Sequence, residues 1–595
     1  MCPDASWAMP AVPVGAPARS DDSSRLVDRL PWQRRVCHSM RIMLLISDVD
    51  RPAVTRNGGD LVVESLHALG ARTVFGIPGQ HALGLFDALS RSPLRFVSAR
   101  VENNAAFAAD GYTRACGEVA VLFVSTGPGA LTALPGLQEA YATGVPMLVV
   151  ASQIPREGLG GRRKGHLHQL DDQARSAVNV TKGTWLARQH SAIPSALAAA
   201  WQEAVTAPQG PVWVEIPQDV LLEPTVLPAV VDLSAEPRPV PARSELLDHA
   251  AAVLDGSRRV VILAGGGARR SGAESELLRL AEALQAPVVT TPGGKGAFPW
   301  THPLSAQSWI EDRHTTDYLA AADTLLVVGT SLGEVTSNYF TLRPRGQVIQ
   351  IDAEPRVLES NVAAIGIHAD ASAALAGLAD RVQTRVRDTS AEAEVAQLLG
   401  LVAARLDAQP LAAERALLAD IRAAVPDDAH TYWDMTIAGY WAWSAWDARR
   451  GGFHSAQGAG GIGWAYGAAL GGAAAGQGRV LAVSGDGGSM YSIAELAVAR
   501  QHNLPVTWLI VDDGGYGILR EYMVGAFGSA TATELTRPDF VAVAQAFGVP
   551  AVAVAPDQVG SQIAAGWNQD GPQVIVTATT LTMFAPTHLE KGVVS

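Results

Sequence analysis

The chain has 595 residues, enough for three or four domains, and a formal net charge of −13 that is spread along the sequence rather than clustered. This acidic balance argues against nucleic acid or an anionic membrane as a partner, and no apolar run approaches the roughly 18 residues of a membrane span. The three cysteines, Cys2, Cys37 and Cys116, are too few for a disulfide framework, so the composition predicts a cytoplasmic protein.

Residues 1–55 differ in composition from the rest of the chain. They mix proline, serine and arginine around one short apolar patch, residues 43–46, and lack a convincing small-residue cleavage site of a targeting segment. We interpret them as an N-terminal extension that is either disordered or produced by an upstream start codon, with Met40 or Met43 as the true start.

Strands and helices alternate from Gly59 onward. In the first predicted domain, residues 56–228, short apolar runs indicate strands and amphipathic runs indicate helices. The strands are predicted at residues 73–76, 96–98, 119–124, 147–151 and 212–216, and the helices at residues 61–69 and 104–114. Alternation of this kind predicts a parallel, doubly wound α/β sheet.

The second predicted domain, residues 240–388, repeats the pattern, with strands at residues 260–263, 288–289, 325–328 and 348–351. Three glycines, residues 265–267, follow its first strand and could receive a nucleotide phosphate, although such a cluster is more often a tight turn between strand and helix. Residues 391–424 are rich in alanine, leucine and glutamate and predict a helical connector to the third domain, residues 420–588.

The third domain contains two predicted strands, residues 480–483 and 506–511, that each end in a turn of aspartate and glycine. A helical pattern at residues 493–500 joins them, so both turns should lie at the carboxyl edge of one parallel sheet, where ligands of such sheets bind. Glycines let the backbone approach an anion, and paired carboxylates, here Asp486 and Asp513, suit a hard divalent cation. The stretch therefore predicts a diphosphate site bridged by a metal ion.

The tripeptide Gly485-Asp486-Gly487, with Asp513 placed 27 positions after Asp486, resembles the cofactor motif of thiamine-diphosphate enzymes. The resemblance implies that the side chains of Asp486 and Asp513 and the carbonyl of Gly515 hold Mg²⁺ on the diphosphate of the cofactor. The family has asparagine where this chain has aspartate at positions 512 and 513. A second carboxylate beside a diphosphate adds repulsion, but it also binds a cation more strongly.

The resemblance covers residues 57–585 and is closest to acetolactate synthase, with benzoylformate decarboxylase and benzaldehyde lyase as neighbours. The supporting strings are residues 74–79, 126–129, 144–147 and 210–217. The resemblance implies three α/β domains, namely a pyrimidine-binding domain, a central domain and a diphosphate-binding domain. It also implies a homodimer or homotetramer, because the active sites of the family form between the first domain of one chain and the last domain of another. The cofactor-binding residues that it implies are Glu102, Gly460, Ile462, Gly485, Asp486, Gly487, Gly488, Asp513, Gly515, Tyr516 and Gly517.

Two of these residues also have an ordinary structural explanation. Glu102 follows the predicted strand at residues 96–98 and opens a helix, where the family has the glutamate that protonates the pyrimidine ring. Its alternative role is that of a charge favoured by the helix dipole. Ile462 stands where the family places an apolar side chain under the bent cofactor, and its alternative role is that of a core residue.

The substrate residues are less distinct. Gln80 stands where similar decarboxylases carry Asp or Ser, and His81 aligns with an active-site histidine of benzaldehyde-lyase-like enzymes. A neutral imidazole there could move protons, whereas a histidine in a turn is often only a hydrogen-bonding group at the surface. Gln169 matches a glutamine that faces the active site of acetolactate synthase, and Lys182 also agrees with that family but is better explained as structural.

Several strings depart from acetolactate synthase. Residues 436–439 differ from the motif that acetolactate synthases have near the diphosphate. Residues 331–335 differ from the flavin-associated motif of that family, which argues against FAD. Tyr522 takes the place of a tryptophan that sets specificity. An aromatic run before the diphosphate motif predicts either core packing or a pocket for a large or aromatic acyl group. The run consists of Trp433, Tyr440, Trp441, Trp443 and Trp446.

The residues and the resemblance together predict an enzyme that decarboxylates a 2-oxo acid and ligates the acyl group to a second carbonyl compound, with acetolactate formation from pyruvate as the default. One alternative is a non-ligating decarboxylase, with an aromatic substrate such as benzoylformate or phenylpyruvate. The other is a non-catalytic paralogue that binds the cofactor. Glu102 and Ile462 argue against this paralogue, and Asp513 leaves it open.

Overall fold

Three β-sheets organise the part of the chain that the computed structural model describes, residues 55–387 and 389–588. The predicted N-terminal extension, residues 1–55, lies outside this range except for Thr55. Every pair of neighbouring strands within the three sheets is parallel. The predicted fold class, three doubly wound parallel-sheet α/β domains, is therefore confirmed.

The first sheet has six strands in the order β2-β1-β3-β4-β6-β5. Its strands are β1 (Thr73–Gly76), β2 (Arg95–Ser98), β3 (Ala120–Val124), β4 (Met147–Gln153), β5 (Thr184–Leu186) and β6 (Pro211–Pro217). Its helices are α1 (Gly58–Ala68), α2 (Leu83–Leu89), α3 (Glu102–Cys116), α4 (Pro128–Thr132), α5 (Leu134–Thr143), α6 (Gln173–Ala177), α7 (Ile193–Val205) and α8 (Gln218–Leu222). β1, β3, β4 and β6 are buried along their whole length, which explains why they are almost continuously apolar.

The second sheet has five strands in the order β11-β10-β9-β7-β8. Its strands are β7 (Val260–Ala264), β8 (Val288–Thr290), β9 (Thr324–Val328), β10 (Gln347–Asp352) and β11 (Ile365–His368). Its helices are α9 (Ser244–Gly256), α10 (Gly266–Arg270), α11 (Glu274–Leu284), α12 (Arg313–Ala320) and α13 (Ala371–Ala379). The predicted connector forms two helices, α14 (Ser390–Asp407) and α15 (Ala412–Ala424), because Pro410 cannot continue the first of them.

The third sheet has six strands in the order β13-β12-β14-β15-β17-β16. Its strands are β12 (Thr431–Trp433), β13 (Phe453–Ser455), β14 (Val480–Gly485), β15 (Val506–Asp512), β16 (Ala551–Ala553) and β17 (Gln573–Ala578). Its helices are α16 (Ile437–Ala445), α17 (Trp464–Ala474), α18 (Asp486–Ser492), α19 (Leu496–Gln501), α20 (Gly517–Phe527), α21 (Phe540–Ala546) and α22 (Val559–Gly566).

The crossover from β14 to β15 differs from its prediction in one respect. The sequence predicts a glycine turn and then a helix at residues 493–500, but α18 begins directly at Asp486. A short 3₁₀ turn, Ile493–Glu495, then separates α18 from α19. Glycines obscure the helix start in the sequence because they have low helix propensity.

The first and third domains pack through α3 and α17, and residues of both helices belong to one buried cluster. The contact depends on small side chains. A β-carbon on Gly111 of α3 would overlap the backbone of Ala468, and one on Gly471 of α17 would overlap the carbonyl of Ala108. α17 is buried over its whole length, which accounts for its run of alanine and glycine. None of the described helices is long and apolar enough to cross a bilayer.

Candidate active site

A cavity of about 490 Å³ opens at the carboxyl ends of β12, β14 and β15. Most of the residues that the sequence predicts to bind a cofactor line this cavity. They are Gly460, Ile462, Gly485, Gly487, Gly488, Asp513, Gly515, Tyr516 and Gly517. The strand order explains why these residues lie together, because β14 and β15 are neighbours and their carboxyl ends lie side by side.

Asp513 lines one end of the cavity, and the buried Asp486 lies beside it. Asp486 is fully buried, and neither of its carboxylate oxygens has a hydrogen-bond partner among the described residues. Burial and the neighbouring Asp513 raise the pKa of Asp486 to about 6. Asp513 Oδ1 accepts a hydrogen bond from the backbone N–H of Gly515 at 3.3 Å. A buried and a half-buried carboxylate beside a backbone carbonyl suit Mg²⁺, which prefers oxygen ligands.

Two glycines bring the backbone beside these carboxylates into close contact with neighbouring side chains. A β-carbon on Gly487 would lie 2.6 Å from the Tyr516 ring, and one on Gly488 would lie 3.0 Å from Asp434 Oδ2. Both positions therefore exclude a side chain. Gly487 and Gly488 belong to the first turn of α18, where backbone N–H groups are free to bind an anion. The residues present fit a diphosphate held by a divalent cation.

Two arginines compensate the aspartates that stand in place of the family's asparagines. Arg537 Nε lies 2.8 Å from Asp512 Oδ1 and 3.6 Å from Asp486 Oδ2. Arg520 lies beside Asp513, where its charge opposes the rise in the pKa of Asp513 that burial causes. Arg520 Nη2 is buried and has no hydrogen-bond partner among the described residues. Sequence reasoning missed both arginines, since neither belongs to the aspartate–glycine motif.

A network of buried charges holds the loop that carries Ile462, residues 458–463. The carboxylate of Glu139 accepts hydrogen bonds from the backbone N–H of Gly458 at 3.2 Å and of Ala459 at 2.7 Å. Arg114 joins Glu139 at 2.9 Å to Asp110 at 3.0 Å, and both carboxylates are fully buried. Trp464 Nε1 donates to Asp110 Oδ2 at 2.9 Å, which fixes the end of the loop. The first domain thus positions a loop of the third domain.

Asp434, at the end of β12, is a further residue that the sequence did not indicate. It lines the cavity and is 1% exposed. Its Oδ1 accepts a hydrogen bond from the backbone N–H of Ala465 at 2.9 Å, while Oδ2 has no partner among the described residues. Burial raises the pKa of Asp434 to about 6.

Glu102 is the first residue of α3 and does not line this cavity. Its Oε1 points toward Gly129, where an added β-carbon would lie 3.1 Å away. The carboxylate of Glu495 holds the start of α3 by accepting hydrogen bonds from the backbone N–H groups of Arg100 and Val101. Glu102 therefore lies in the first domain and outside the cavity of the third domain, and its role toward the cofactor stays a prediction.

The predicted substrate residues have different surroundings. His81 is 4% exposed, its Nδ1 has no partner among the described residues, and its ring lies 5.3 Å from that of His168. Burial lowers the pKa of His81, which favours a neutral imidazole. Gln80 is exposed. Gln169 holds its own loop, because Nε2 donates to the Arg163 carbonyl at 2.9 Å and Oε1 accepts from the Gly165 N–H at 2.9 Å. Their roles toward a substrate stay predictions.

Lys182 and the aromatic run have structural explanations. Lys182 Nζ donates to the Glu203 carbonyl at 2.5 Å and to the Thr206 carbonyl at 2.8 Å. The four tryptophans of the run are buried in the core, whereas Tyr440 lines the cavity together with Tyr522. The core explanation therefore applies to the tryptophans, and the pocket explanation applies to Tyr440.

The glycines that follow β7 form a tight turn, since a β-carbon on Gly265 would overlap the carbonyl of Gly329. A second cavity, of about 740 Å³, lies between this turn and the first domain and includes Gly266, Arg270 and Asp352. The expectation that FAD is absent stays a prediction. No group of three His, Cys, Asp or Glu side chains suited to a metal occurs within residues 55–387 and 389–588. A metal ion at Asp486 and Asp513 would therefore need further ligands, such as a backbone carbonyl, a diphosphate or water.

Three family models match the chain. "Thiamine pyrophosphate enzyme, N-terminal TPP binding domain" matches residues 56–176, the central domain of the same enzymes matches residues 247–378, and their C-terminal TPP binding domain matches residues 434–577. The "Probable 2-ketoarginine decarboxylase AruI" of Pseudomonas aeruginosa is 34% identical over 88% of this chain and 94% of its own length. The "Probable acetolactate synthase large subunit" of Methanocaldococcus jannaschii is 30% identical over 89% and 93%.

A solved structure supports the fold. It is described as "a putative thiamin diphosphate-dependent enzyme isolated from Mycobacterium smegmatis" and has a TM-score of 0.74 with 23% identity. The match covers 89% of this chain and 100% of the solved chain. At this identity the likeness concerns the three-domain fold alone.

Proposed function

Because the chain belongs to the thiamine pyrophosphate enzyme family, we propose that it decarboxylates a 2-oxo acid with bound thiamine diphosphate and Mg²⁺. The observation that carries the proposal is the buried carboxylate of Asp486, whose two oxygens have no hydrogen-bond partner among the described residues and only a long ion pair, at 3.6 Å, with Arg537. This carboxylate lies beside Asp513, at a cavity that Ile462 also lines. The cavity thus combines a cation site with an apolar support.

Each residue has a defined task in the proposal. Asp486, Asp513 and the Gly515 carbonyl hold the metal ion, and Arg520 and Arg537 keep the acidic end from repelling a diphosphate. When bound, thiamine diphosphate supplies the electron sink for the carbon–carbon bond that breaks. Ile462 supports the cofactor from below, and the network of Glu139 and Asp110 keeps its loop in place. Glu102 holds a proton at the pyrimidine ring.

We also propose that the complete site needs two chains. Glu102 lies in the first domain and outside the cavity of the third domain. One active site would combine Glu102 of one copy with the cavity of another, as a homodimer or homotetramer. This assembly would bring His81 and Gln80 to the substrate as well.

The fate of the acyl group separates two candidate functions. Carboligation of the acetolactate synthase type is the first, and relatives at about 30% identity carry that name. The second is protonation and release of an aldehyde. The relative named as a 2-ketoarginine decarboxylase favours this second function and suggests a 2-oxo acid with a guanidinium side chain. Tyr440 and Tyr522, which line the cavity, favour a side chain longer than that of pyruvate.

Product analysis distinguishes the candidates. The purified protein, loaded with thiamine diphosphate and Mg²⁺, is incubated with pyruvate, phenylpyruvate, benzoylformate or 5-guanidino-2-oxopentanoate, with and without acetaldehyde. CO₂ release from any of them supports decarboxylation, a hydroxyketone identifies carboligation, and a free aldehyde identifies the simple decarboxylase. Quenching of tryptophan fluorescence reports cofactor binding, so bound cofactor without CO₂ release contradicts the proposal.

A further inference from the structure

The start of helix α3, where Glu102 lies, receives no side-chain cap from its own N-cap residue. That residue is Val101, whose apolar side chain makes no hydrogen bond to the first turn. The first backbone N–H groups of a helix need partners from outside the helix, and valine is a poor residue at the N-cap. The turn that carries Glu102 therefore depends on another part of the molecule.

The partner is Glu495, which follows α18 in the third domain and lies 394 positions from Val101. Its Oε1 accepts hydrogen bonds from the backbone N–H of Arg100 at 3.1 Å and of Val101 at 3.2 Å. It also accepts one from Nδ2 of Asn104 at 3.2 Å. Because Glu495 is 0% exposed, water does not compete for these contacts. One buried carboxylate thus holds residues on both sides of Glu102.

Further hydrogen bonds at this turn also come from the third domain. Asn104 Nδ2 donates to the carbonyl of Tyr491 in α18 at 3.2 Å, and Arg100 Nη2 donates to Oε1 of Gln501 in α19 at 2.6 Å. The strand before the turn, β2, is an edge strand of the first sheet and pairs with one strand only. The position of Glu102 is therefore set by α18, α19 and the turn between them as well as by its own sheet.

The surroundings of the Glu102 carboxylate show why the helix start must be fixed. An added β-carbon on Gly129, in α4, would lie 3.1 Å from Glu102 Oε1 and 3.6 Å from Cβ of Ser125. The carboxylate is therefore packed against the backbone of α4. A displacement of about 1 Å in a reacting group can lower a rate on the order of 10²-fold, so loss of the Glu495 contacts should be felt in catalysis.

We propose that Glu495 is a positioning residue for Glu102, an inference that rests on the proposed decarboxylase function. Glu495 acts without touching the cofactor, because it fixes the first turn of α3 and so holds the Glu102 carboxylate in one orientation. Asp486, the proposed metal ligand, begins α18 nine positions before Glu495, roughly 14 Å away along a helix. An effect that ran through Asp486 would weaken cofactor binding, which a separate measurement detects.

A double-mutant cycle on the holoenzyme tests the proposal, with Glu495→Gln, Glu102→Gln and the double variant compared with the wild type. CO₂ release from the 2-oxo acid that the wild type converts fastest gives kcat, and tryptophan fluorescence gives the Kd of thiamine diphosphate. We expect Glu495→Gln to lower kcat about 10–10²-fold while Kd changes less than about threefold. In the Glu102→Gln background the same substitution should lower kcat less than about threefold, because the residue through which it acts is already gone.

Hydrogen exchange of the protein without cofactor gives a readout that does not depend on turnover. We expect the amides of residues 98–107 to exchange on the order of tenfold faster in Glu495→Gln, while residues 108–116 keep their rates. The matched control is Glu118→Gln, which removes a carboxylate that accepts a hydrogen bond from the Tyr112 hydroxyl at 2.6 Å near the far end of α3. This control should change neither kcat nor the exchange of residues 98–107.

The outcomes separate the positioning role from the proposed function. Equal losses of kcat in both backgrounds, or unchanged exchange at residues 98–107, overturn the role of Glu495 and leave decarboxylation intact. Recovery of kcat at saturating thiamine diphosphate would place the effect at the cofactor site and also overturn that role. Bound cofactor with no CO₂ release from the wild type overturns the proposed function, and with it the role of Glu495. If Glu495→Gln does not fold, as judged by circular dichroism, Asn104→Ala removes a donor of the same contact and is held to the same outcomes.

Discussion

Two groups of buried carboxylates lie around the candidate active site, and they differ in whether protein cations pair them. Glu139 and Asp110 share Arg114, and every one of these groups also binds a neighbouring loop or side chain. Asp486 and Glu311 have little such compensation. A buried carboxylate that pairs with a protein cation is compensated within the protein, so its role is to hold neighbouring segments in place. A buried carboxylate without such a partner keeps an unfavourable desolvation free energy until a ligand binds. The comparison therefore separates structural carboxylates from those that await a cation.

The largest expected effect is a loss of turnover on substitution of Glu102, a carboxylate proposed to act on the cofactor rather than to pair with a protein cation. Glu102→Gln keeps the size of the side chain but removes its acid function, so turnover should fall on the order of 10²–10⁴-fold. Cofactor affinity, measured by tryptophan fluorescence, should change much less. A variant that keeps most of its CO₂ release would show that Glu102 only stabilises the start of α3.

Substitution of a carboxylate in the paired group, Glu139, should lower the free energy of unfolding. Glu139→Gln leaves Arg114 with one buried partner and removes the charge that binds the N–H groups of Gly458 and Ala459. We expect a loss of about 3–5 kcal/mol in the free energy of unfolding, measured with urea, together with weaker thiamine diphosphate binding. The binding loss follows because the loop carries Ile462.

The control for Glu139→Gln is Glu157→Gln in the same domain. Glu157 pairs with Arg163, and both side chains are more than half exposed. Such a pair contributes about 0–1 kcal/mol, so the control should leave both readouts near their original values. Equal losses in the two variants would contradict the distinction between paired and ligand-binding carboxylates.

A smaller effect is expected at Asp513, which lies beside Asp486 and near Arg520. Asp513→Asn removes one negative charge near the diphosphate and should keep or tighten cofactor binding in Mg²⁺, because an amide oxygen still binds the cation. Arg520→Gln should weaken binding about tenfold when Asp513 is present, and less in the Asp513→Asn background. Isothermal titration of the four combinations with thiamine diphosphate measures this coupling. Total loss of binding in Asp513→Asn would show that the carboxylate itself is required.

The sequence predicted the parts of the site that lie close together in the chain or belong to a fixed spacing. Asp486 and Asp513 are such a pair, and the alternation of strands and helices likewise predicted three parallel sheets. The Glu139–Ala459 contact could not be predicted, since it joins residues 320 positions apart through the packing of α3 against α17. For the same reason the influence of Glu311 on the pKa of Tyr440 and Tyr522 was missed, although both tyrosines drew attention as unusual residues. Their partner Glu311 comes from the central domain, and no spacing indicates it.

A further effect is a pH dependence of stability that is expected at Glu311, a residue of the central domain. Burial raises the pKa of Glu311 from 4.5 to about 7, so the folded protein binds its proton more tightly than the unfolded chain. Between pH 4.5 and 7 the folded state therefore holds more protons, and the free energy of unfolding falls as pH rises through this window.

Glu311→Gln removes this term, and the wild-type protein should lose up to about 3 kcal/mol relative to the variant across the window. Below pH 4.5 and above pH 7 the difference between the two proteins should be constant. Urea unfolding at several pH values, without substrate, measures it. If a hidden protein cation compensated Glu311, its pKa would be lowered instead, and the difference would change below pH 4.5 with the opposite sign.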